Sequence, residues 1–281
     1  MGIIKERMKQ DMEIRGLSEN TQEAYLNCIK QFVKYFMTSP DQLTLEDIHT
    51  YQVFLIRDRK VAGNTFNQHI SALKFLYGVT LKQKLNFTLI PFHKRSIKLP
   101  VVLSREEVVE LYKAVSYLKH KAMILTLYST GIRVSELLHL KVADIDSKRM
   151  QIRIEQGKGR KDRYVRLSEK LLEKLRLYWS SEKRKPKTWL FPGYRDIAPL
   201  CSSSVEKMVQ KARENACIQK HVTPHTMRHS CATHMLEAGE DLRKIQLMLG
   251  HRSLRTTAKY LHVASNYIAT TNNTLDTLDL D

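Results

Sequence analysis

The apolar residues of the first ninety positions recur at three-and-four spacing, the interval that returns a side chain to the same face of an α-helix. That period confines the stretch to helices packed on one another. Ser18 can cap a helix whose apolar positions Tyr25, Cys28, Ile29, Phe32, Val33 and Phe36 form one buried face. Thr44 followed by Asp47 is a capping-box pattern that opens a second helix through Ile48, Leu55 and Ile56, and Gly63-Asn64 ends that unit. A further helix carries Phe66, Ile70, Leu73, Phe75, Leu76 and Tyr77. The expected product is a small bundle that buries its faces mutually.

The pattern then changes. From Phe92 to Pro100 the chain is basic, loses the helical period and ends in proline, so residues 93–100 read as a linker between domains spanning 1–92 and 101–281. Ser104 with Glu107 restarts a helix as another capping box. A buried helix from about Leu118 to Tyr128 breaks at Thr130-Gly131 before Ile132 to Leu140 resumes. Gln151–Glu155 and Tyr164–Leu167 alternate like half-buried strands, and between them Gln156 to Asp162 form a glycine-rich, basic hairpin turn. From Cys201 onward the pattern is helical again. The expected fold is mainly α with a small antiparallel β-sheet: a helical domain followed by a mixed α+β domain.

Charge narrows the partner. Lys and Arg outnumber Asp and Glu by 47 to 29, a net +18 in 281 residues. The excess divides as 15 minus 9 before Pro100 and 32 minus 20 from Pro100 onward, so both halves favour a polyanion and a clamp around one is expected. An anionic membrane surface would also attract such a chain, but no apolar run approaches the roughly 20 residues of a span. The start of the chain has no apolar signal-peptide core. Cys28, Cys201, Cys217 and Cys231 lie far apart without a C-x-x-C pair, which points to reduced thiols and a cytoplasmic setting.

Four stretches carry chemistry. Arg133 follows a glycine break in Thr130-Gly131-Ile132-Arg133-Val134-Ser135-Glu136-Leu137, inside an apolar surround. Lys158 sits at the hairpin tip. Thr223-Pro224-His225-Thr226-Met227-Arg228-His229 has an N-cap and a proline at the first helical position, which places His225 and Arg228 on one face near a helix N-terminus. Leu249-Gly250-His251 is followed by a possible cap at Ser253 and by Thr256-Thr257-Ala258-Lys259-Tyr260. Each has a competing reading. Arg133 and Glu136 can form a structural ion pair, and Lys158 can be a solvated turn lysine beside Arg160, Lys161 and Arg163. His225 and His229 have zinc-ligand spacing without a second ligand cluster, Asp144 and Asp146 sit in a turn without a third carboxylate, and His229 suits a hydrogen-bonded core position.

Taken together, the four blocks resemble the tyrosine recombinases of the Xer and phage-integrase type, in that family's order and over nearly the whole chain. The resemblance implies a site-specific DNA recombinase that cuts and rejoins strands through a 3′-phosphotyrosine, without metal, ATP or cofactor. It implies that Arg133 and Arg228 clamp the phosphate, and that Lys158 protonates the leaving oxygen. His225 would assist the tyrosine as acid or base, His251 would donate a hydrogen bond to the phosphate, and Tyr260 would be the nucleophile. Glu136 matches a carboxylate that supports the first arginine. Leu17 to Tyr25 resembles the family's helical core-binding domain. Met227 and Cys231 depart from its usual residues without removing a catalytic group. A dimer on each recombination site of double-stranded DNA, paired into a tetramer, follows from the same likeness. A binding-only relative would be expected to lack one of the catalytic groups, and a type IB topoisomerase would not pair two sites. The apolar and acidic residues from Tyr267 to Asp281 are expected to dock on a neighbouring protomer.

With both domains positive, affinity for duplex DNA should fall with log salt at a slope of about −0.9 per phosphate neutralised. Fluorescence anisotropy over a salt series should give a flatter slope for residues 101–281 alone; an equal slope would mean that the first domain does not grip DNA.

Overall fold

The computed structural model describes residues 2–83, 86–94, 99–155, 162–193 and 198–264. The chain divides into two compact units, residues 1–97 and 98–281. In the first, α1 (Gly2–Ile14), α2 (Glu19–Phe36), α3 (Leu45–Arg57) and α4 (Gly63–Phe75) pack together, and α4 runs on into a π-helical turn at Leu76–Thr80. Ser18 caps α2 by accepting from the Thr21 amide. At α3 the capping box is complete: the Asp47 amide donates to Thr44 Oγ1 over 3.3 Å and the Thr44 amide to Asp47 Oδ2 over 2.7 Å. Gly63 opens α4 rather than ending the preceding unit, since α3 already stops at Arg57.

Phe32, Ile48, Tyr51, Leu55, Ile70, Leu73 and Tyr77 fill the core of this unit. Phe32 meets Tyr51 and Tyr77 edge-on, with centroids 5.0 and 6.4 Å apart. The buried Tyr77 hydroxyl donates to the Pro40 carbonyl over 2.8 Å, so the ring brings no unpaired polar atom inside.

The second unit begins with α5 (Arg105–Lys113), α6 (Leu118–Thr130) and the short α7 (Val134–Leu138). Helix α5 is capped by the reciprocal Ser104/Glu107 box. Ile132 and Arg133 stay outside α7, because the Glu136 carboxylate accepts the Arg133 amide and sets Arg133 as the N-cap. The sheet follows, with β1 (Ile145–Asp146), β2 (Gln151–Ile154) and β3 (Arg163–Arg166) antiparallel in sequence order, and Ile152 opposite Val165. Asp144 is buried just before β1 and pairs with Arg153 over 3.1 Å, a structural use of a carboxylate.

Among the described residues, five helices follow: α8 (Glu169–Ser181), α9 (Ser202–Asn215), α10 (Pro224–Glu237), α11 (Leu242–Leu249) and α12 (Leu254–Ala258). One core joins Leu127, Ile132, Leu137, Ile152, Val165, Tyr178, Phe191 and Val209. A smaller cluster gathers Ala232, Leu236, Ile245, Leu249 and Tyr260 from α10, α11 and the stretch after α12. No described helix is long and apolar enough to cross a membrane.

Phe32→Ala should lower the stability of the first unit by about 3–5 kcal/mol, the cost of an aromatic-sized cavity. Urea unfolding followed separately for the two units should show the loss in residues 1–97 alone; a change below about 1 kcal/mol would mean that this ring is not the centre of the bundle.

Candidate active site

Helix α6 ends at Gly131, whose φ of 58° is left-handed. A Cβ there would stand 2.7 Å from Leu249 Cδ2, so glycine answers both the turn and the approach of α11. The turn delivers Arg133. Its guanidinium donates to Glu136 Oε1 over 2.8 Å, and its amide donates to Glu136 Oε2 over 2.8 Å. Glu136 is buried and also receives both terminal nitrogens of Arg163 at 2.8 Å. Burial alone would raise its carboxyl pKa, but the hydrogen bonds and charge of Arg163, and then those of Arg133, hold it down at about 2.

Arg228 lies one turn into α10, whose start is fixed by the Thr223 cap and Pro224. Its guanidinium is buried and donates to the Gly131 carbonyl and, over 2.6 Å, to the Leu249 carbonyl. It therefore fastens together the turn that carries Arg133 and the turn that carries His251. Burial and the charge of Arg133 lower its pKa to about 10, which leaves it a cation at neutral pH. Gly250, at φ 64°, ends α11. His251 follows and its Nδ1 lies 2.9 Å from Thr257 Oγ1.

Tyr260 is fully buried. Its ring is parallel to that of His251 within 14°, at 6.5 Å, and Lys259 Nζ stands 5.0 Å from its centroid. The Tyr260 hydroxyl lies 3.0 Å from His229 Nδ1. Burial pushes the phenol up to about 12 against the pull of Arg228. His229 is held down at about 4 by burial and then by the Lys259 charge, so its ring is neutral near pH 7 and can accept the phenolic hydrogen. Burial, with Arg228 and Arg133, lowers His251 further, to about 3.

Both units match known families: residues 4–86 the phage integrase N-terminal SAM-like domain, and residues 101–266 the phage integrase family. A putative integrase/recombinase of Sinorhizobium fredii is 46% identical over 99% of this chain and 90% of its own length. The tyrosine recombinase XerD of Halalkalibacterium halodurans is 33% identical over 89% of each chain. The chain is a tyrosine recombinase of the phage integrase family. In fold it is similar to the XerH site-specific recombinase bound to palindromic difH substrate in a post-cleavage complex, with TM-score 0.74 and 22% identity over 92% of this chain and 80% of that one.

In this recombinase, Arg133, Arg228, His251 and Tyr260, taken from stretches far apart in sequence, are drawn together by the bonds above. His225 is near them, its ring 6.3 Å from that of His229, but the imidazole on the tyrosine hydroxyl is that of His229. Lys158 lies outside the described residues, as do Tyr267 and the rest of the expected docking tail. Among the described residues no group of three metal-ligating side chains accompanies the His225/His229 pair. Two members escaped the sequence reading. Arg163 passes for one more hairpin charge, although alternation with Val165 and Leu167 already puts it on the inward face of β3. His229 does prove to be a hydrogen-bonded interior histidine, and its partner is the tyrosine.

The depressed histidines set a pH dependence. Above pH 6.5, His229 and His251 are neutral both folded and unfolded and contribute no slope. As pH falls below 6.5 the unfolded chain takes up protons that the folded recombinase refuses down to about 4 and 3 respectively. Stability is therefore lost on acidification, by at most about 1.4 kcal/mol per pH unit for each histidine. Urea midpoints measured from pH 7 to 4.5 should fall for the wild type and fall less for His229→Asn; a flat wild-type curve would contradict the half-buried, uncharged state of these rings.

Proposed function

We propose that this recombinase acts in the cytoplasm on a specific double-stranded DNA site, with Tyr260 as nucleophile and residues 1–92 and 101–281 as core-binding and catalytic domains. The observation that carries the reading is the Arg228 tether. One buried guanidinium holds the Arg133 and His251 turns side by side, and the next residue, His229, meets the Tyr260 hydroxyl. The net charge of +18 supports DNA as the ligand, and the XerH relative is itself bound to its difH substrate.

In this scheme the Tyr260 oxygen attacks the scissile phosphorus, and the bond from phosphorus to the 5′ oxygen breaks. A 3′-phosphotyrosine and a free 5′ hydroxyl result. The 5′ hydroxyl of a partner strand then attacks the phosphotyrosine, releasing Tyr260. One phosphoester replaces another at each step, so no ATP is needed, and side-chain cations supply the charge that a metal would otherwise bring. Arg133 and Arg228 neutralise the charge that gathers on the nonbridging oxygens, His251 adds a hydrogen bond, and Lys158 protonates the departing oxygen. His225 serves as acid or base, with His229 on the tyrosine hydroxyl before attack. A phenol at about 12 is ionised in only about one molecule in 10⁵ at pH 7, so the phosphate and a proton acceptor must arrive together. Because Tyr260 has no exposed surface, its segment must shift for the oxygen to reach DNA. Two protomers occupy each site and two sites pair as a tetramer.

Tyr260→Phe removes only the hydroxyl, so binding should persist while cleavage stops. A nicked suicide duplex carrying the recombination site, run on a denaturing gel, should show a covalent adduct with wild type, in excess chelator as well, and none with the variant. An adduct that persists in Tyr260→Phe would refute the nucleophile; loss of the wild-type adduct in chelator would refute metal independence.

A further inference from the structure

The most heavily bonded ion-pair group near the proposed site is a residue given no role in the scheme above. We infer that Arg163 is a positioning residue for strand cleavage: it fixes Glu136 and, through Glu136, the aim and free charge of Arg133. The inference rests on the proposed reading of Arg133 as a phosphate clamp.

Arg163 reaches three places at once. Both terminal guanidinium nitrogens meet the two Glu136 oxygens at 2.8 Å. Its Nε donates to the Met248 carbonyl over 2.8 Å, in the last turn of α11. Gly250 lies flat against it, and a Cβ at that position would stand 3.2 Å from Arg163 Cδ and Nε. The guanidinium is thus wedged between the carboxylate that holds Arg133 and the turn that carries His251. Its side chain is only 12% exposed, which leaves solvent little part in fixing its geometry.

The electrostatics give this placement a purpose. A carboxylate paired with one guanidinium is a neutral couple, and Arg133 in such a couple offers little to a phosphate. A carboxylate shared by two guanidiniums keeps one net positive charge, and Arg163, being enclosed, leaves that charge with Arg133, the more exposed of the two at 21% against 12%. The bidentate grip also fixes the plane of the Glu136 carboxylate, and with it the direction in which Arg133 projects. Lysine at 163 would keep the charge and lose the planar two-point grip.

Single-turnover cleavage of the suicide duplex by the full chain tests this with Arg163→Gln, Arg163→Lys, Arg133→Ala and the Arg133→Ala/Arg163→Gln double variant. Arg163→Gln should slow cleavage about 10²-fold, as loss of a transition-state donor does, while DNA affinity stays within about threefold. Arg163→Lys should recover part of that loss. In the Arg133→Ala background the same change should cost less than about threefold, since the group it acts through is gone. Between pH 7 and 5 the Arg163→Gln rate should fall more steeply than the wild-type rate, because Glu136 without its main partner protonates more readily and lets Arg133 go. Multiplicative losses in the double variant, or an Arg163→Gln rate equal to wild type, would overturn the inference. If thermal melts show Arg163→Gln unfolded, Arg163→Lys alone and with Arg133→Ala gives the same comparison. Absence of an adduct with the wild type would refute the proposed function itself, and this inference with it.

Discussion

Among the described residues of the second unit, one buried guanidinium joins the two turns that carry Arg133 and His251. Helices α6 and α11 both end at left-handed glycines, and the carbonyls at such ends have no partner within their own helix. Arg228 satisfies one at each end, Gly131 O and Leu249 O, and places a cation where the negative ends of two helix dipoles meet. The capped ends lead directly into Arg133 and His251. Fold and site therefore share a joint: the bonds that let a charge be buried there also hold Arg133 and His251 in register.

Tyr260 is built in on the same principle, with the roles reversed. Its ring packs among Ala232, Leu236, Ile245 and Leu249 as a core residue would, and its hydroxyl is satisfied by His229 instead of solvent. Burial keeps the phenol protonated and both neighbouring histidines uncharged. A resting tyrosine in this state is a poor nucleophile. The cationic groups around it, Arg133, Arg228 and Lys259, form an environment that favours an anion. Glu136 does not cancel it, because Arg163 shares that carboxylate.

How far the sequence could be read followed from how far each interaction reaches along the chain. The caps at Ser18, Thr44 and Ser104 and the Thr223-Pro224 start join atoms three residues apart, and the local order of residues placed them. The hairpin showed as two alternating runs around a glycine-rich turn. Arg133 stood out as a charge in an apolar surround, Arg228 as a residue one turn into a capped helix, and the order of the four blocks carried the family. The short α7 was harder: the pattern continues through Ile132 and Arg133, and only the Glu136 carboxylate on the Arg133 amide shows why the helix starts later.

The sequence by itself determined which segments are helix or strand, where most of them begin, and which residue types were gathered for the chemistry, because capping bonds and hydrophobic periods are local. Tertiary structure alone decided who meets whom. That Arg163 serves Glu136 from 27 positions away, that His229 and not His225 meets the hydroxyl of Tyr260, and that Arg228 closes on a carbonyl 97 residues earlier depend on the approach of whole elements. Their packing is set by the summed burial of many side chains, and no short stretch of sequence contains that sum.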